Sequence, residues 1–308
     1  MSRVTVVVVT YNSSEVIDAC LDSCRPLDVV VVDNASSDET VQKVNAHSSV
    51  RLLANSQNRG FAAAVNQGFL ASQGAYVLLL NPDVRLDAPP DPLIAALDND
   101  PRCAIAAGVL TNENGAIQYG FTARKFPGAK TLAFEALGLN RVFPRSSVNR
   151  KYRCLDRNFT ALSEVDQPAG AFLLIRRQAW ETLGGFDERF FPVWFEDVDF
   201  CKRAREAGYR IVLDPSVRAR HEGGHSVNRL SRECREQYWY GSLLKYAAKH
   251  LPAHQFRAVA AAVALGAVFR AVLLAAATRS FDPFRIYARV ARFGLVCLFA
   301  GDVPEFAC

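Results

Sequence analysis

Hydrophobic residues in the first eighty positions fall into short unbroken runs rather than strict alternation. Residues 4–9 (VTVVVV) are β-branched throughout, and residues 29–32, 50–54 and 77–80 form further runs. A strand apolar on both sides is buried on both sides, as in a parallel sheet covered by helices. Helical signals lie between the runs. Ser13 or Ser14 caps a helix reaching about Cys24, Ser-Ser-Asp-Glu opens another near Asp38, and NRGFAAAVNQGFLAS is a helix entered through Gly60. Strand and helix in turn predict an α/β fold: a doubly wound, mostly parallel sheet with helices on both faces, followed by a helical tail. Right-handed crossovers then place the carboxyl ends of the strands on one rim.

The pattern continues less regularly. Residues 87–101 form a loop and short helix, and residues 104–110 another apolar run. Residues 111–165 mix glycines, aromatics and basic residues with no period, and are expected to be loops and a small subdomain. GAFLLIRR is then a strand, RQAWETLGGFDERFF a short helix with a glycine stop, FEDVDFCKRAREAGYRI a helix closed by Gly208, and residues 211–213 a strand. No internal repeat interrupts this order.

The tail changes character. Residues 256–278 are rich in Ala, Val and Leu and nearly long enough to span a bilayer. Arg270 in their middle opposes a span, at about 3 kcal/mol on insertion scales. Arg285, Arg289 and Arg292 recur at i, i+4, i+7 beside Phe293, Leu295, Val296, Leu298 and Phe299, the pattern of an amphipathic helix lying on a membrane surface. Helices packed on the domain or in a homo-oligomer interface are the alternative.

At 308 residues, half of them hydrophobic, the chain has a core large enough for one or two domains. The net charge of +5, from 36 basic and 31 acidic residues, suits an acidic ligand or an anionic membrane. No run of like charge resembles a nucleic-acid-binding arm, so nucleic acid is not the expected partner. The eight cysteines are scattered without a CxxC pair, and the chain enters a strand at once, with no leader pattern. Both point to a reducing, cytoplasmic setting.

Candidate chemistry gathers at the predicted rim. The first strand ends in Thr10-Tyr11-Asn12, the second in Asp33-Asn34 followed by Ser36 and Asp38. The third is followed by Asn58-Arg59-Gly60, and the fourth ends in Asn81-Pro82-Asp83. Pro82 has no N–H for a ladder, so it stops the strand and leaves Asp83 as either a turn residue or a ligand. Asp33 can take a ribose hydroxyl or a base N–H. Gly60 lets the backbone close on a ligand, ahead of free helix N–H groups, and Arg59 can neutralise phosphate. There is no GxGxxG after the first strand and no GxxxxGK[ST] anywhere, which opposes dinucleotide and P-loop chemistry.

Two further clusters stand out. In FPVWFEDVDF, Glu196 and Asp197 follow bulky residues; one can cap a helix while the other, with a raised pKa, serves as general base. In RARHEGGHSV, His221 and His225 have the H-x3-H spacing of helical zinc sites, but Gly223-Gly224 opposes a helix. His225 reads as a lone surface histidine.

VVVVTYNSSEVIDACLDS, VVVDNASSDET, NRGFAAAVNQG, LLLNPDV, GAFLLIRRQAWETLGGFDERFF, FEDVDFCKRAREAGYRI and the histidine after them resemble family 2 glycosyltransferases of GT-A fold, over roughly residues 3–228. Within that family they are most similar to rhamnosyltransferases that use dTDP-rhamnose. The resemblance implies a Rossmann-like nucleotide half at about 1–110, an acceptor half at about 111–228, and a helical region at 229–308. It implies Mg²⁺ or Mn²⁺ held by Asp83, with Asn81 where the family motif has its first Asp, and completed by His221. Asp197, second of the Glu196-Asp197 pair, matches the acceptor base. Thr10, Asn12, Asp33 and Asn34, with Tyr11 between them, match nucleoside-binding positions, and Arg59, Gly60 and Asn66 the loop and helix near ribose and diphosphate. One base and in-line attack mean inversion at the anomeric carbon. The expected partners are a nucleotide-sugar donor and a glycan or polyprenyl-linked acceptor, in polysaccharide synthesis at the inner face of the cell membrane. A UDP-sugar donor such as UDP-galactofuranose or UDP-glucose is the alternative, or a sugar-nucleotide-binding protein without catalysis, which needs no base.

Overall fold

The computed structural model of the chain describes residues 3–223 and 230–304. They divide into two units. One takes residues 3–125, 153–192 and 196–223, and the other 126–152, 193–195 and 230–304.

In the first unit the apolar runs become β1 (Val4–Thr10), β2 (Asp28–Asp33), β3 (Val50–Ala54) and β4 (Tyr76–Leu80), with α1 (Ile17–Ser23), α2 (Thr40–Ala46) and α3 (Phe61–Ala71) between them. After β5 (Val84–Leu86) come α4 (Asp91–Asn99), β6 (Cys103–Thr111) and β7 (Ala123–Arg124). The unit resumes with β8 (Ser163–Glu164), β9 (Gln167–Pro168), β10 (Phe172–Arg176), α8 (Arg177–Leu183), α9 (Glu196–Glu206) and β11 (Arg210–His221).

Among the described residues nine strands form one sheet in the order β3-β2-β1-β4-β10-β6-β11-β5, with β8 on β11. β1 lies parallel between β2 and β4. Every residue of β1, β4 and β6 is buried, which is why those runs do not alternate. The sheet departs from a purely parallel one at β10, which runs antiparallel to both β4 and β6. β5 and β8 also run antiparallel to β11. A five-residue apolar strand carries no mark of its direction, so the reversal is not legible in the sequence. Its consequence is local: the amino end of β10 shares a rim with the carboxyl ends of β1, β2, β4, β6 and β11.

β11 is longer than the strand expected at 211–213. Its pairing with β6 shifts register between Leu213 and Arg218, around Pro215, and then continues to His221. Proline lacks the ladder N–H and so sits at an irregularity rather than ending the strand. His221 is therefore the last residue of a strand instead of part of the loop beyond it. His225 lies outside the described residues.

The second unit holds α5 (Ala129–Ala136), α6 (Leu139–Val142), α7 (Ser147–Tyr152), α10 (Arg232–His250), α11 (Ala253–Thr278) and α12 (Asp282–Ala300). Arg270 does not face outward from α11. Its guanidinium donates to the carbonyls of Glu135, at 3.0 Å, and Ala136 at the end of α5, and lies over the Tyr240 ring. A cation at a helix C-terminus satisfies carbonyls that have no partner within the helix. On the other face of α11, Leu265, Val268, Phe269, Val272 and Leu273 are each more than half exposed. Arg285, Arg289 and Arg292 share the exposed side of α12, where Arg285 and Arg289 pair with Glu233.

Candidate active site

The rim of the first unit is built by short polar turns, each fastened to its neighbour. Thr10 Oγ1 donates to Asp33 Oδ1 at 2.8 Å, and both residues are almost fully buried. Asp33 also accepts from the Ser36 amide, at 2.9 Å, and from the Ser36 hydroxyl. Three of the roughly four lone-pair sites of that carboxylate are occupied within the protein. Asn12, with a left-handed φ of 51°, receives the Ser37 amide on Oδ1 at 2.8 Å and donates its own amide to Ser36 Oγ. Tyr11 sits half-buried in the same turn. The β1 and β2 ends thus form one loop cluster rather than two independent ligands.

Asn34 ties that cluster to the third loop. Its Nδ2 donates to the Gly60 carbonyl at 3.0 Å, while Oδ1 receives Asn55 Nδ2 and the Arg59 amide. Gly60 has φ 82°, and a Cβ there would lie 2.8 Å from the Phe191 ring, so only glycine fits. The Arg59 side chain remains exposed on this loop. Asn66 is not brought to the rim cluster. Its amide is held by the 186–188 turn, donating to Phe186 O and Glu188 Oε1 and accepting from Phe186 N, all at 2.9 Å. Asn66 thus braces α3 against that turn.

Asn81-Pro82-Asp83-Val84 is a β-turn closed by Val84 N donating to Asn81 O. Asp83 is both a turn residue and a buried carboxylate, 7% exposed, whose Oδ1 has no hydrogen-bond partner. An unpartnered buried carboxylate oxygen costs roughly 1–3 kcal/mol or more. Facing it at 3.6 Å is Nε2 of His221, 5% exposed. Burial lowers the His221 pKa, opposed by the charges of Asp83 and Glu222, so the ring is neutral near pH 7. Its Nδ1 lies 2.9 Å from Gln118 Oε1, and Phe121 stacks on its face at 4.8 Å. The side chains of Asp83 and His221 therefore offer an oxygen and a nitrogen to a common point, a set that fits a hard or borderline divalent cation. Among the described residues no group of three or more His, Cys, Asp or Glu side chains is arranged as a metal site. Any remaining ligands would have to come from elsewhere.

Asp197 approaches the same rim from α9. Its Oδ2 accepts the Gly170 amide at 2.9 Å and its Oδ1 the Val198 amide at 2.8 Å. Gly170 precedes Ala171, whose carbonyl accepts from Asn81, so Asp197 and Asp83 are held by consecutive links of one network. A Cβ on Gly170 would sit 2.7 Å from Asp197 Oδ2. Burial raises the Asp197 pKa, and the two amides and the Arg124 charge oppose the rise. Glu196 points elsewhere. It is 4% exposed, its Oε2 has no partner, and burial with the Asp197 charge pushes its pKa well above the ordinary value. Glu196 is thus a buried carboxyl that burial and the neighbouring Asp197 charge hold toward its neutral form. Asp199, fully buried, bonds Arg203 Nε at 2.8 Å and belongs to the packing of α9.

Gln118, Phe121, Arg124 and Gly170 shape this site, and none of the four is a site candidate from the sequence alone. The first three lie in the aperiodic stretch after β6, where neither spacing nor a motif marks them.

An α/β sheet with polar turns along one rim, a carboxylate–imidazole pair and an oriented carboxylate make up a fold of GT-A type. The chain belongs to glycosyl transferase family 2, whose sequence profile matches residues 5–183. It is accordingly a glycosyltransferase. It is 32% identical over 242 residues to the N-acetylglucosaminyl-diphospho-decaprenol L-rhamnosyltransferase of Mycobacterium tuberculosis, covering 73% of this chain and 77% of that one. The rhamnosyltransferase WbbL of Escherichia coli K12 is 24% identical, over 72% of this chain and 84% of that one. Among solved structures, the fold is shared with a mannosyltransferase of Pyrobaculum calidifontis in complex with GDP-Man and Mn²⁺, at TM-score 0.53 and 21% identity, covering 95% of this chain and 80% of that one.

Proposed function

We propose that the protein transfers L-rhamnose from dTDP-rhamnose, with inversion, to a lipid-linked glycan acceptor in cell-envelope polysaccharide synthesis. The observation that carries the reaction is Asp197, the one acid of its pair that keeps some exposure, oriented by two backbone amides and poised by burial to accept a proton. It takes the proton of the acceptor hydroxyl as that oxygen attacks the anomeric carbon. The loop cluster around Thr10, Asn12, Asp33 and Asn34 holds the nucleoside, with Arg59 and Gly60 beside it. Asn81, Asp83 and His221 stand at the diphosphate. Mg²⁺ or Mn²⁺ at Asp83 and His221 would neutralise the departing diphosphate. The rhamnose assignment and the lipid-linked acceptor rest on the named relatives. Residues about 1–110 chiefly serve the donor and about 111–228 chiefly the acceptor, with His221 reaching back to the diphosphate.

Calorimetry tests the donor. Titration of dTDP-rhamnose, UDP-glucose and UDP-galactofuranose into the protein, with and without Mn²⁺, is expected to give binding to dTDP-rhamnose that strengthens at least tenfold with the metal. Preference for a UDP-sugar would overturn rhamnose while leaving the transfer chemistry. Equal binding with and without Mn²⁺ would overturn the metal.

The helices within residues 232–300 supply the membrane-binding surface that a polyprenyl-linked acceptor requires. α11 is by length and composition apolar enough to cross a membrane, yet one of its faces is exposed. Such a helix is ordinarily enclosed on all sides, and an anionic bilayer matches both that face and the basic side of α12.

A further inference from the structure

We propose that Gln118 is a positioning residue that fixes the tautomer of His221 and thereby aims its Nε2 lone pair at the unpartnered oxygen of Asp83. The inference rests on the divalent-cation reading of that pair and adds what makes the pair competent. Gln118 Nε2 donates to the backbone carbonyl of His221 at 2.7 Å. Turned the other way, the amide would set Oε1 against that carbonyl, acceptor against acceptor. The backbone thus orients the amide, and Oε1 is left 2.9 Å from His221 Nδ1. An oxygen there can only accept, so Nδ1 carries the ring proton and Nε2 presents a lone pair. The same residue is thus gripped twice, at its backbone and at its ring edge.

The surroundings leave little freedom for a different arrangement. Phe121 lies parallel to the imidazole, 6° from coplanar planes, and blocks rotation of the ring. Arg124 lies over the other ring of that stack, 5.6 Å from the Phe121 centroid. Gln118 itself is set in a turn: its amide donates to Leu110 O, and its carbonyl receives the amides of Phe121 and Thr122. Asp83 Oδ1 and His221 Nε2 then face each other at 3.6 Å as two acceptors with no proton between them. Two acceptors at that separation repel unless a cation binds both. Without the Gln118 bond, imidazole is free to place its proton on Nε2 and donate to Asp83, closing the seat with an internal hydrogen bond. Gln118 prevents that closure. Interactions of this kind, one bond removed from a ligand, are typically worth 10- to 100-fold in metal affinity.

The test uses the full chain and two readouts. Long-range ¹H–¹⁵N correlation spectra report the tautomer of each of the five histidines, with His221 assigned by its loss in His221→Gln. Mn²⁺ binding in the presence of dTDP is followed by the fall of the free-ion electron spin resonance signal. The wild type is expected to show His221 protonated on Nδ1. Gln118→Leu is expected to move that proton to Nε2 and weaken Mn²⁺ binding 10- to 100-fold, with thermal unfolding retained. Gln118→Glu keeps an acceptor for Nδ1–H and is expected to keep the tautomer. A wild-type His221 protonated on Nε2, or an unchanged tautomer in Gln118→Leu, overturns the role of Gln118. Unchanged Mn²⁺ affinity in Gln118→Leu despite a tautomer switch overturns it as well. A wild type that binds no Mn²⁺ but shows the switch instead overturns the cation reading on which the proposal rests.

Discussion

Glu196 and Asp197 are adjacent, yet their carboxyls meet different surroundings. Glu196 is buried without a partner for Oε2, and its pKa stands well above the ordinary 4.5. A carboxyl whose pKa is raised on folding stabilises the native state below the unfolded value and loses that contribution as pH climbs toward the folded one. Wild-type stability should therefore fall from about pH 4.5 upward through this group, by at most about 1.4 kcal/mol per pH unit. Glu196→Gln keeps the neutral shape and removes the slope. Urea unfolding at pH 5 and pH 8 should show the variant gaining on wild type at the higher pH; an equal difference at both would refute the raised pKa. For Asp197→Asn the expected result is a loss of transfer of about 10²- to 10⁴-fold, the usual worth of a general base, with dTDP-rhamnose binding unchanged. Retained transfer would remove Asp197 from the chemistry. At this scale sequence spacing singled out both acids but could not say which one faces solvent, because one residue along a helix is a turn of about 100° and the packing of α9 decides the direction. Asn66 marks the same limit: its amide is satisfied by the 186–188 turn, 120 residues away in sequence.

At the scale of elements, the packing of α3 on the sheet turns on a single missing side chain. Gly68 lies in the helix interior, where alanine would ordinarily add about 1 kcal/mol of helix stability. A Cβ at Gly68, however, would overlap Val7 Cγ1 and press on Val32 Cγ2 at 3.3 Å. Val7 and Val32 are wholly buried in the middle of the sheet and have nowhere to move. Overpacking of this kind costs about 1–3 kcal/mol, so the clash outweighs the propensity gain. Gly68→Ala should lower the unfolding midpoint, as followed by circular dichroism, and a rise would mean the helix can lift off the sheet. Most elements of the first 110 residues are legible because double-faced burial writes an unbroken apolar run. Residues 111–165 are not, because α5, α6 and α7 are short helices of four to eight residues, too brief to show a period of 3.6.

At the scale of the whole molecule, a net charge of +5 is modest, and the exposed apolar face of α11 is the larger feature. Burying a large aliphatic or aromatic side chain is worth about 1.5–3 kcal/mol, and each 1.4 kcal/mol is tenfold in binding. Even partial insertion of Leu265, Phe269 and Leu273 should thus govern attachment. The wild type is expected to sediment with vesicles containing anionic lipid, and the triple change to serine at these positions to bind at least tenfold more weakly. A wild type that ignores vesicles, but whose dimer becomes monomeric on the triple change, would give this face to a second copy of the chain.

The sequence by itself determined the succession of buried strands, the polar turns that follow them, and the family, since these depend on local hydrophobic pattern and on motifs a few residues long. Only the tertiary structure decided the direction of β10, the inward turn of Arg270, the burial of Glu196 and the grip of Gln118 on His221. Each of these rests on a partner tens of residues away or more, and no local pattern records what a side chain will meet once the chain has closed on itself.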